Sequence, residues 1–176
     1  GEYQGLLNSS AKIRVAKEAR QNADTIVGDN ILKMIERLPA ESHTSESTAW
    51  LVHPSTLPQL YTLHAVIGTG GAALPLWRWR SDGEVFDRLA GIKVIPSEHC
   101  SPLGDEGDII LADLSRYLIV NRAIRKQTSS HWLFLTDQSA FRAVLRTDGQ
   151  PDLAKNITPY GATDTVSPII TLAERA

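Results

Sequence analysis

The chain has 176 residues, of which 42% are hydrophobic and 22% charged, and these values suit one globular domain or a domain with an added lobe. A net charge of −2 provides no strong positive field for nucleic acid or for an anionic membrane. The single cysteine, Cys100, excludes an intrachain disulfide, and the sequence has neither a signal peptide nor an apolar run long enough to span a membrane. Because the chain starts at Gly1 and its only methionine is Met34, we expect it to be a piece of a longer product.

The first strong pattern along the chain is helical. Apolar residues recur at helical spacing between Asp24 and Pro39, which predicts a helix over 25–38 with Asp24 as its N-cap. The preceding residues, 1–23, are charged and only weakly periodic. We therefore interpret them as an irregular lead-in to the first helix.

The next region alternates short apolar runs with turn-like sequence. Residues 49–53 form an apolar run that predicts a strand, and the ring of His53 is suited to cap the helix that follows. That helix is expected at 55–64, where two prolines fit only near a helix start. The glycine-rich and then aromatic-basic stretch 68–84 is interpreted as a long loop or a loose hairpin.

The second half of the chain predicts strands. Asp113 and Ser115 suit a turn between two of them, because both side chains can cap backbone groups. Residues 141–146 alternate in character, with apolar side chains at the odd positions and Arg142 and Arg146 among the even ones, which is the spacing of a half-buried strand. The predicted strands cover 91–98, 108–112, 117–121, 131–137, 140–149 and 167–172, with a loop at 99–107.

The sequence WRWR is the strongest candidate for a contact surface. It consists of Trp77, Arg78, Trp79 and Arg80, and tryptophan and arginine dominate the residues that contribute most to protein interfaces. The alternative is an ordinary strand with one face of its rings buried. Aromatic residues after a glycine-rich stretch seldom become part of a core. For this reason we give the contact surface the same support as the buried strand.

No group of residues predicts catalysis. His99, Asp105 and Asp108 are possible metal ligands, but they crowd into one loop, where neighbouring ligands rarely converge on one ion. The stretch 68–71 lacks the lysine and the hydroxyl of a phosphate-binding loop, and no Gly-x-Ser-x-Gly elbow is present. We therefore predict no catalytic, cofactor-binding or metal-binding residue. A small metal-dependent hydrolase that uses His99, Asp105 and Asp108 stays open as an alternative.

Four segments, taken together, resemble one protein family. They read AWLVHPSTLPQL (49–60), LAGIKVIPSE (89–98), GDIILADLSRYLIVNR (107–122) and FLTDQSAFRAVLRTDGQP (134–151). They occur in this order, and at close to this spacing, in HK97-type major capsid proteins of tailed phages and prophages. The likeness runs from about Gly5 to Leu172, and the chain is similar to the C-terminal portion of such a protein.

The resemblance implies an α+β chain with an HK97-like capsid fold. It divides the chain into a lead-in segment at 1–23 from the missing peripheral part, an axial domain at 24–127 and peripheral-domain strands at 128–176. The spine helix and the extended loop of the family are expected to be absent. Residues 129–147 are similar to the long hairpin of the peripheral domain, and 167–172 to the strand that returns beside that hairpin.

The resemblance also implies a function. The chain is expected to be a fragment of a structural shell subunit, not an enzyme, that self-assembles into the icosahedral head around phage double-stranded DNA. Its partners are then copies of itself, with non-specific enclosure of the DNA, no membrane and no cofactor. Such a protein is made in the bacterial host cytoplasm and resides in the virion. A shell subunit of an encapsulin-like bacterial compartment is the alternative with the same fold.

Two further expectations follow from the resemblance. The surface that the missing spine helix would cover is expected to include Ile13, Val15 or the apolar face of 141–145. Some family members also join a lysine of the extended loop to an asparagine of the peripheral strand, with help from a glutamate. Here the position of that asparagine aligns with Asp137, and the position of that glutamate aligns with Val144. A carboxylate is a poor electrophile and valine cannot accept a proton, so we expect no covalent cross-link between subunits.

Overall fold

A computed structural model describes residues 3–67 and 72–175 of the chain. The helices are α1 Gly28–Glu36, α2 Ala40–His43 and α3 Leu57–Tyr61. The strands are β1 Ile13–Val15, β2 Thr48–Val52, β3 His64–Ile67, β4 Ala72–Pro75, β5 Trp77–Arg78, β6 Arg88–Leu89, β7 Ile92–Pro96, β8 Ile109–Asp113, β9 Tyr117–Leu133, β10 Gln138–Pro151 and β11 Ile169–Leu172. The α+β class is therefore confirmed.

A mixed seven-stranded sheet organises most of the chain. Its strand order is β1-β11-β8-β2-β7-β6-β5, in which β8 runs antiparallel to both of its neighbours. Trp50 of β2 and Leu111 of β8 face each other in the register and are fully buried. The indole N–H of Trp50 donates to the carbonyl of Leu89, 3.1 Å away, and so ties β6 to the centre of the sheet. We call this sheet, with its helices and loops, the body (3–67, 72–116 and 152–175).

Helix α1 buries one face against the body and starts later than predicted. Ile31 and Met34 are fully buried, as the helical spacing of the apolar residues requires. Asp24 is not the N-cap, because it adopts a left-handed backbone with φ of 52°. Instead the side-chain oxygen of Asn30, inside the helix, accepts the backbone N–H of Val27 at 3.1 Å. The first helical residue is Gly28, whose missing side chain leaves room for a backbone carbonyl of β3 at a position where a Cβ would lie 2.6 Å away.

The elements between α1 and β8 largely agree with the sequence pattern. The strand predicted at 49–53 is β2, and the ring nitrogen Nδ1 of His53 accepts the N–H of Ser55 at 3.1 Å, which confirms the predicted cap. Helix α2 was not predicted. Helix α3 ends at Tyr61, earlier than predicted, because the chain then enters the β3–β4 hairpin. Most of the predicted loop at 68–84 is described, and it contains β4 and β5, whereas 68–71 lie outside the described residues.

Both ends of the chain join the sheet, which corrects two expectations. Ile13 and Val15 of β1 are buried and pair in parallel with Ile170 and Leu172 of β11, so the lead-in segment is not simply irregular, and these two side chains are not part of a bare surface. Strand β11 in turn pairs with β8 rather than returning beside the long hairpin. All four residues of β11 are buried, as expected for a strand that lies between two others, here β1 and β8.

Strands β9 and β10 form a separate two-stranded antiparallel hairpin, longer than predicted. The pairing runs from Tyr117–Pro151 to Leu133–Gln138, so the polar stretch between the predicted strands 117–121 and 131–137 is itself strand. At about 3.3 Å per residue, the 17 residues of β9 reach roughly 55 Å. The expected domain boundary at 127/128 therefore falls inside β9. We call the unit 117–151 the hairpin.

The base of the hairpin is fastened to the body. The predicted turn before it is confirmed, with the carboxylate of Asp113 accepting the N–H of Ser115 at 3.0 Å and the hydroxyl of Ser42 at 2.6 Å. The hydroxyl of Tyr117 donates to the carbonyl of Gln4 at 2.8 Å. The N–H of Gln4 donates to the carbonyl of Gly149 at 2.8 Å. The N-terminal segment thus crosses both hairpin strands where they leave the body.

A buried ion pair near the C-terminus is the subject of the first prediction. Arg175 and Asp108 contact each other with both side chains fully buried, and the N–H of Gly104 donates to Asp108 at 3.1 Å. Replacing Arg175 by Met leaves a buried carboxylate without its cation, so the free energy of unfolding should fall by about 3–5 kcal/mol. Urea denaturation at neutral pH measures this loss.

The double variant Arg175→Met/Asp108→Asn is the control for that experiment. It buries no charge, and the introduced amide oxygen can still accept the N–H of Gly104, so it should recover most of the lost stability. Equal unfolding midpoints for wild type and Arg175→Met would contradict the assigned role of this pair.

A second prediction concerns the attachment of β1. Glu106, just before β8, pairs with Lys12 at 2.6 Å and with Arg14. The hydrogen bond from Arg14 is the main cause that lowers the pKa of Glu106 to about 2, against opposing burial and with further help from Lys12. A lowered pKa adds stability above the unfolded value of about 4.5, and that stability is lost as the pH falls towards 2. Wild type should therefore lose more stability than Glu106→Gln between pH 4.5 and 2 in urea titrations, and parallel curves would refute this.

Candidate subunit-contact surfaces

Three aromatic rings form a cluster at the β5 edge of the main sheet. The ring of Tyr61 lies 4.8 Å from that of Trp77 and 4.7 Å from that of Trp79, measured between ring centroids. The two tryptophan rings are 5.8 Å apart and meet edge to face. Such distances are those of attractive aromatic pairs. Through these ring contacts the end of α3 is joined to β5 and to the first residue of the loop that follows β5.

The two tryptophans of this cluster differ in exposure. Trp77 is 7% exposed and belongs to the core, whereas Trp79, two residues on, is 61% exposed. Of the two interpretations of WRWR, the strand with a buried ring therefore describes Trp77, which is part of β5. Trp79 presents a large apolar ring to solvent beside the half-exposed Tyr61, and such a ring is suited to a contact with another protein.

The loop after β5 is held together by one carboxylate. Glu84 accepts bonds from Arg78 at 2.7 Å, from Arg88 at 3.0 Å and from the hydroxyl of Ser81 at 3.1 Å. The backbone hydrogen bond from Ser81 is the largest of the causes that lower the pKa of Glu84, and the two arginines lower it further. Arg78 is thus engaged within its own loop. By contrast, the guanidinium of the exposed Arg80 has no hydrogen-bond partner among residues 3–67 and 72–175.

A second candidate surface is one face of the hairpin, which the sequence did not reveal. The register pairs Arg122 with Arg146 directly, whereas further along the hairpin Arg125 opposes Val144. One extra residue of β9 lies between these pairs, and such a bulge shifts the alternation of side chains. Arg122 and Arg125 therefore line the same shallow groove, of about 170 Å³. Arg142 and Arg146 of β10 line it too, and we call this surface the arginine face.

The opposite side of the hairpin is apolar. Phe141 and Leu145 are 67% and 57% exposed, and Ala143 between them is exposed as well. The apolar side chains of 141–145 are thus exposed in the described chain, and their coverage by the missing spine helix stays a prediction. Gly149 is four residues from Leu145 along β10 and therefore faces the same side. Ile119 is the register partner of Gly149, so it lies on this side too. Lys126 opposes Ala143 and so also belongs to this side. We call it the apolar face.

The tip of the hairpin carries two more exposed apolar residues. Trp132 is 82% exposed and Leu135 is 98% exposed, close to the turn where Asp137 adopts a left-handed backbone. A soluble chain seldom exposes two large apolar side chains at the end of a long arm without a partner for them. The tip is therefore a third candidate contact surface.

The residues proposed for metal-dependent hydrolysis do not form a site. Asp108 is buried and bound by Arg175, whereas His99 and Asp105 are exposed in the preceding loop. Within the described part of the chain, no three His, Cys, Asp or Glu residues converge as metal ligands. None of the helices in that part combines the length and the apolar character needed to cross a membrane.

Comparison with known proteins identifies one family and one fold. The Phage capsid family matches residues 1–160. Among solved structures, the capsid of an empty GTA (gene transfer agent) particle, computed with C5 symmetry, has a TM-score of 0.57 and 19% sequence identity. The match covers 99% of this chain and 57% of that chain, so the present chain shares its fold and spans just over half of its length. The search of curated proteins found no match.

The third prediction separates the two tryptophans. Replacing Trp77 by Ala removes a buried ring and should lower the free energy of unfolding by about 3–5 kcal/mol. Replacing Trp79 by Ala removes only ring contacts at the surface and should cost about 1 kcal/mol. Trp77→Phe is the matched control, because no residue within 3–67 or 72–175 accepts the buried indole N–H of Trp77, and its loss removes an unsatisfied donor. Urea denaturation that ranks Trp79→Ala as the more damaging change would contradict the assignment.

Proposed function

The chain belongs to the phage capsid family, and on that premise we propose that it is part of a structural shell subunit that assembles with copies of itself into the icosahedral head around phage double-stranded DNA. The observation that carries this proposal is the family match over residues 1–160, nearly the whole chain. The capsid fold of the chain supports it. The complete protein acts as a building block rather than as an enzyme, is made in the host cytoplasm and resides in the virion.

The two structural units correspond to the two domains of such a subunit. The body is the axial domain, which meets its neighbours around the capsomer axis, and the hairpin is part of the peripheral domain. This assignment moves the expected boundary from 127/128 to the ends of the hairpin, at 117 and 151. It is supported by the sheet pairing, because among the described strands β9 and β10 form a two-stranded sheet of their own.

The apolar face of the hairpin is covered within the complete subunit. Two strands alone are marginally stable in water, and three or more elements with a shared apolar face are needed. The matched capsid chain is longer than the present one, and its further residues supply a candidate for the covering element. We assign that role to the spine helix, as the family resemblance implies.

Trp79 and Arg80 are the axial residues best placed to contact a neighbouring subunit. Trp79 is exposed, and the Arg80 guanidinium is not engaged by the described chain. The buried ring of Trp77 supports the exposed ring of Trp79 through an edge-to-face contact. Arg78 stiffens the same loop through Glu84. The four residues of the WRWR sequence thus divide into two supporting and two contacting side chains.

The fourth prediction tests the shell function directly. Expression of the complete gene product that contains this chain should yield closed particles in electron micrographs. The isolated 176-residue chain should form nothing larger than one capsomer in light scattering, because a closed shell needs contacts both within and between capsomers. Boiled and reduced particles should run as single-subunit bands, since Asp137 and Val144 align with the reacting asparagine and the assisting glutamate of the family.

Trp79→Ala in the complete gene product tests the contact role. It should strongly reduce the yield of closed particles while leaving the fold intact. Tyr160→Ala, at another fully exposed aromatic side chain, is the matched control and should assemble normally. A wild-type gene product that stays monomeric would contradict the shell function, whereas normal particles from Trp79→Ala would contradict only the contact role.

A further inference from the structure

The charges of this chain are segregated between its two units. The hairpin carries five of the 18 lysines and arginines but only two of the 20 aspartates and glutamates, so it is net +3, whereas the remaining residues are net −5. The overall charge of −2 hides this division. Two oppositely charged units in one chain complement each other when copies of that chain meet.

The positive charge of the hairpin is concentrated on the arginine face. Arg122, Arg125, Arg142 and Arg146 are all exposed, and none has an ion pair or hydrogen bond from its side chain within the part of the chain that the structure describes. The direct opposition of Arg122 and Arg146 is unfavourable, because like charges across paired strands repel each other. This arrangement is relieved when an anionic group binds between the two guanidinium groups.

The occupant of the arginine face comes from outside the subunit. If the proposed function holds, the subunit's own further residues cover the apolar face, which lies on the other side of the same two strands. A two-stranded ribbon has only these two faces. The arginine face is therefore left to a partner.

We propose that the arginine face of the hairpin docks on the acidic body of a second copy of this chain. Arginine suits such a contact, because its planar guanidinium binds carboxylates with two parallel hydrogen bonds. The body offers exposed carboxylates that form no ion pair among the described residues, and these include Asp29, Glu36, Asp82, Glu98 and Asp105. The net negative charge of the chain favours this partner over nucleic acid, which the body repels.

The test compares two variants that each lose two positive charges. Arg122→Gln/Arg146→Gln removes the opposed pair on the arginine face. Lys126→Gln/Lys155→Gln is the control, because Lys126 lies on the apolar face and Lys155 lies in the body. Sedimentation velocity of the 176-residue chain should show self-association in about 50 mM NaCl that is lost in about 500 mM NaCl. The arginine variant should associate at least about tenfold more weakly, and the control should behave as wild type.

Two outcomes would overturn the inference. The first is equal weakening by both variants, which would mean that net charge alone drives the association. The second is salt-dependent binding of a 20-base-pair DNA duplex that requires the arginines, without self-association, which would make this face a nucleic-acid site. Particle formation by the complete gene product separates the inference from the proposed function. Normal particles from the arginine variant would overturn the inference alone, and the absence of particles from wild type would overturn the shell function.

Discussion

The pairing of β8 with both β2 and β11 is the constraint on which the rest of the structure depends. All five residues of Ile109–Asp113 are buried, and the strand donates and accepts hydrogen bonds on both sides. Through β2 it holds the half of the sheet that ends in β5, and through β11 it holds the half that ends in β1. At its end, Asp113 turns the chain out of the sheet and into the hairpin. The buried strand β8 thus fixes where the hairpin begins.

Local sequence pattern predicted the elements whose burial differs between their two faces, or that are buried throughout. Helix α1 and strands β2, β7 and β8 were found this way, because an apolar stripe or a short apolar run is a local signal. The partners of these strands were not predictable, since the pairing of Ile13 with Ile170 depends on residues far apart in the chain. The middle of the hairpin was missed for another reason. Its residues from 118 to 132 are exposed on both faces, so no alternation of polar and apolar residues marks it as strand.

The candidate surfaces were predicted only in part. The WRWR sequence located the aromatic cluster, but the difference between a buried Trp77 and an exposed Trp79 comes from the tertiary position of β5 at the edge of the sheet. The arginine face depends on the register of β9 against β10. Without the bulge, Arg122 and Arg125 would point to opposite sides, because their positions differ by three and side chains alternate along a strand. For the β10 half of the arginine face the sequence did carry a signal, because Arg142 and Arg146 are four positions apart and therefore point to the same side of a regular strand.

The pairing of β1 with β11 has a consequence for how the protein is made. The first strand of the sheet can find its neighbour only after Leu172, which follows Val15 by 157 residues (172 − 15), has left the ribosome. Contacts of such long sequence separation form late, because a large loop must close before they contribute. Ile13 and Val15 therefore lack their partner strand on a nascent chain until β11 has been made. A growing chain thus completes the main sheet of the body only when both ends of that sheet's sequence are present.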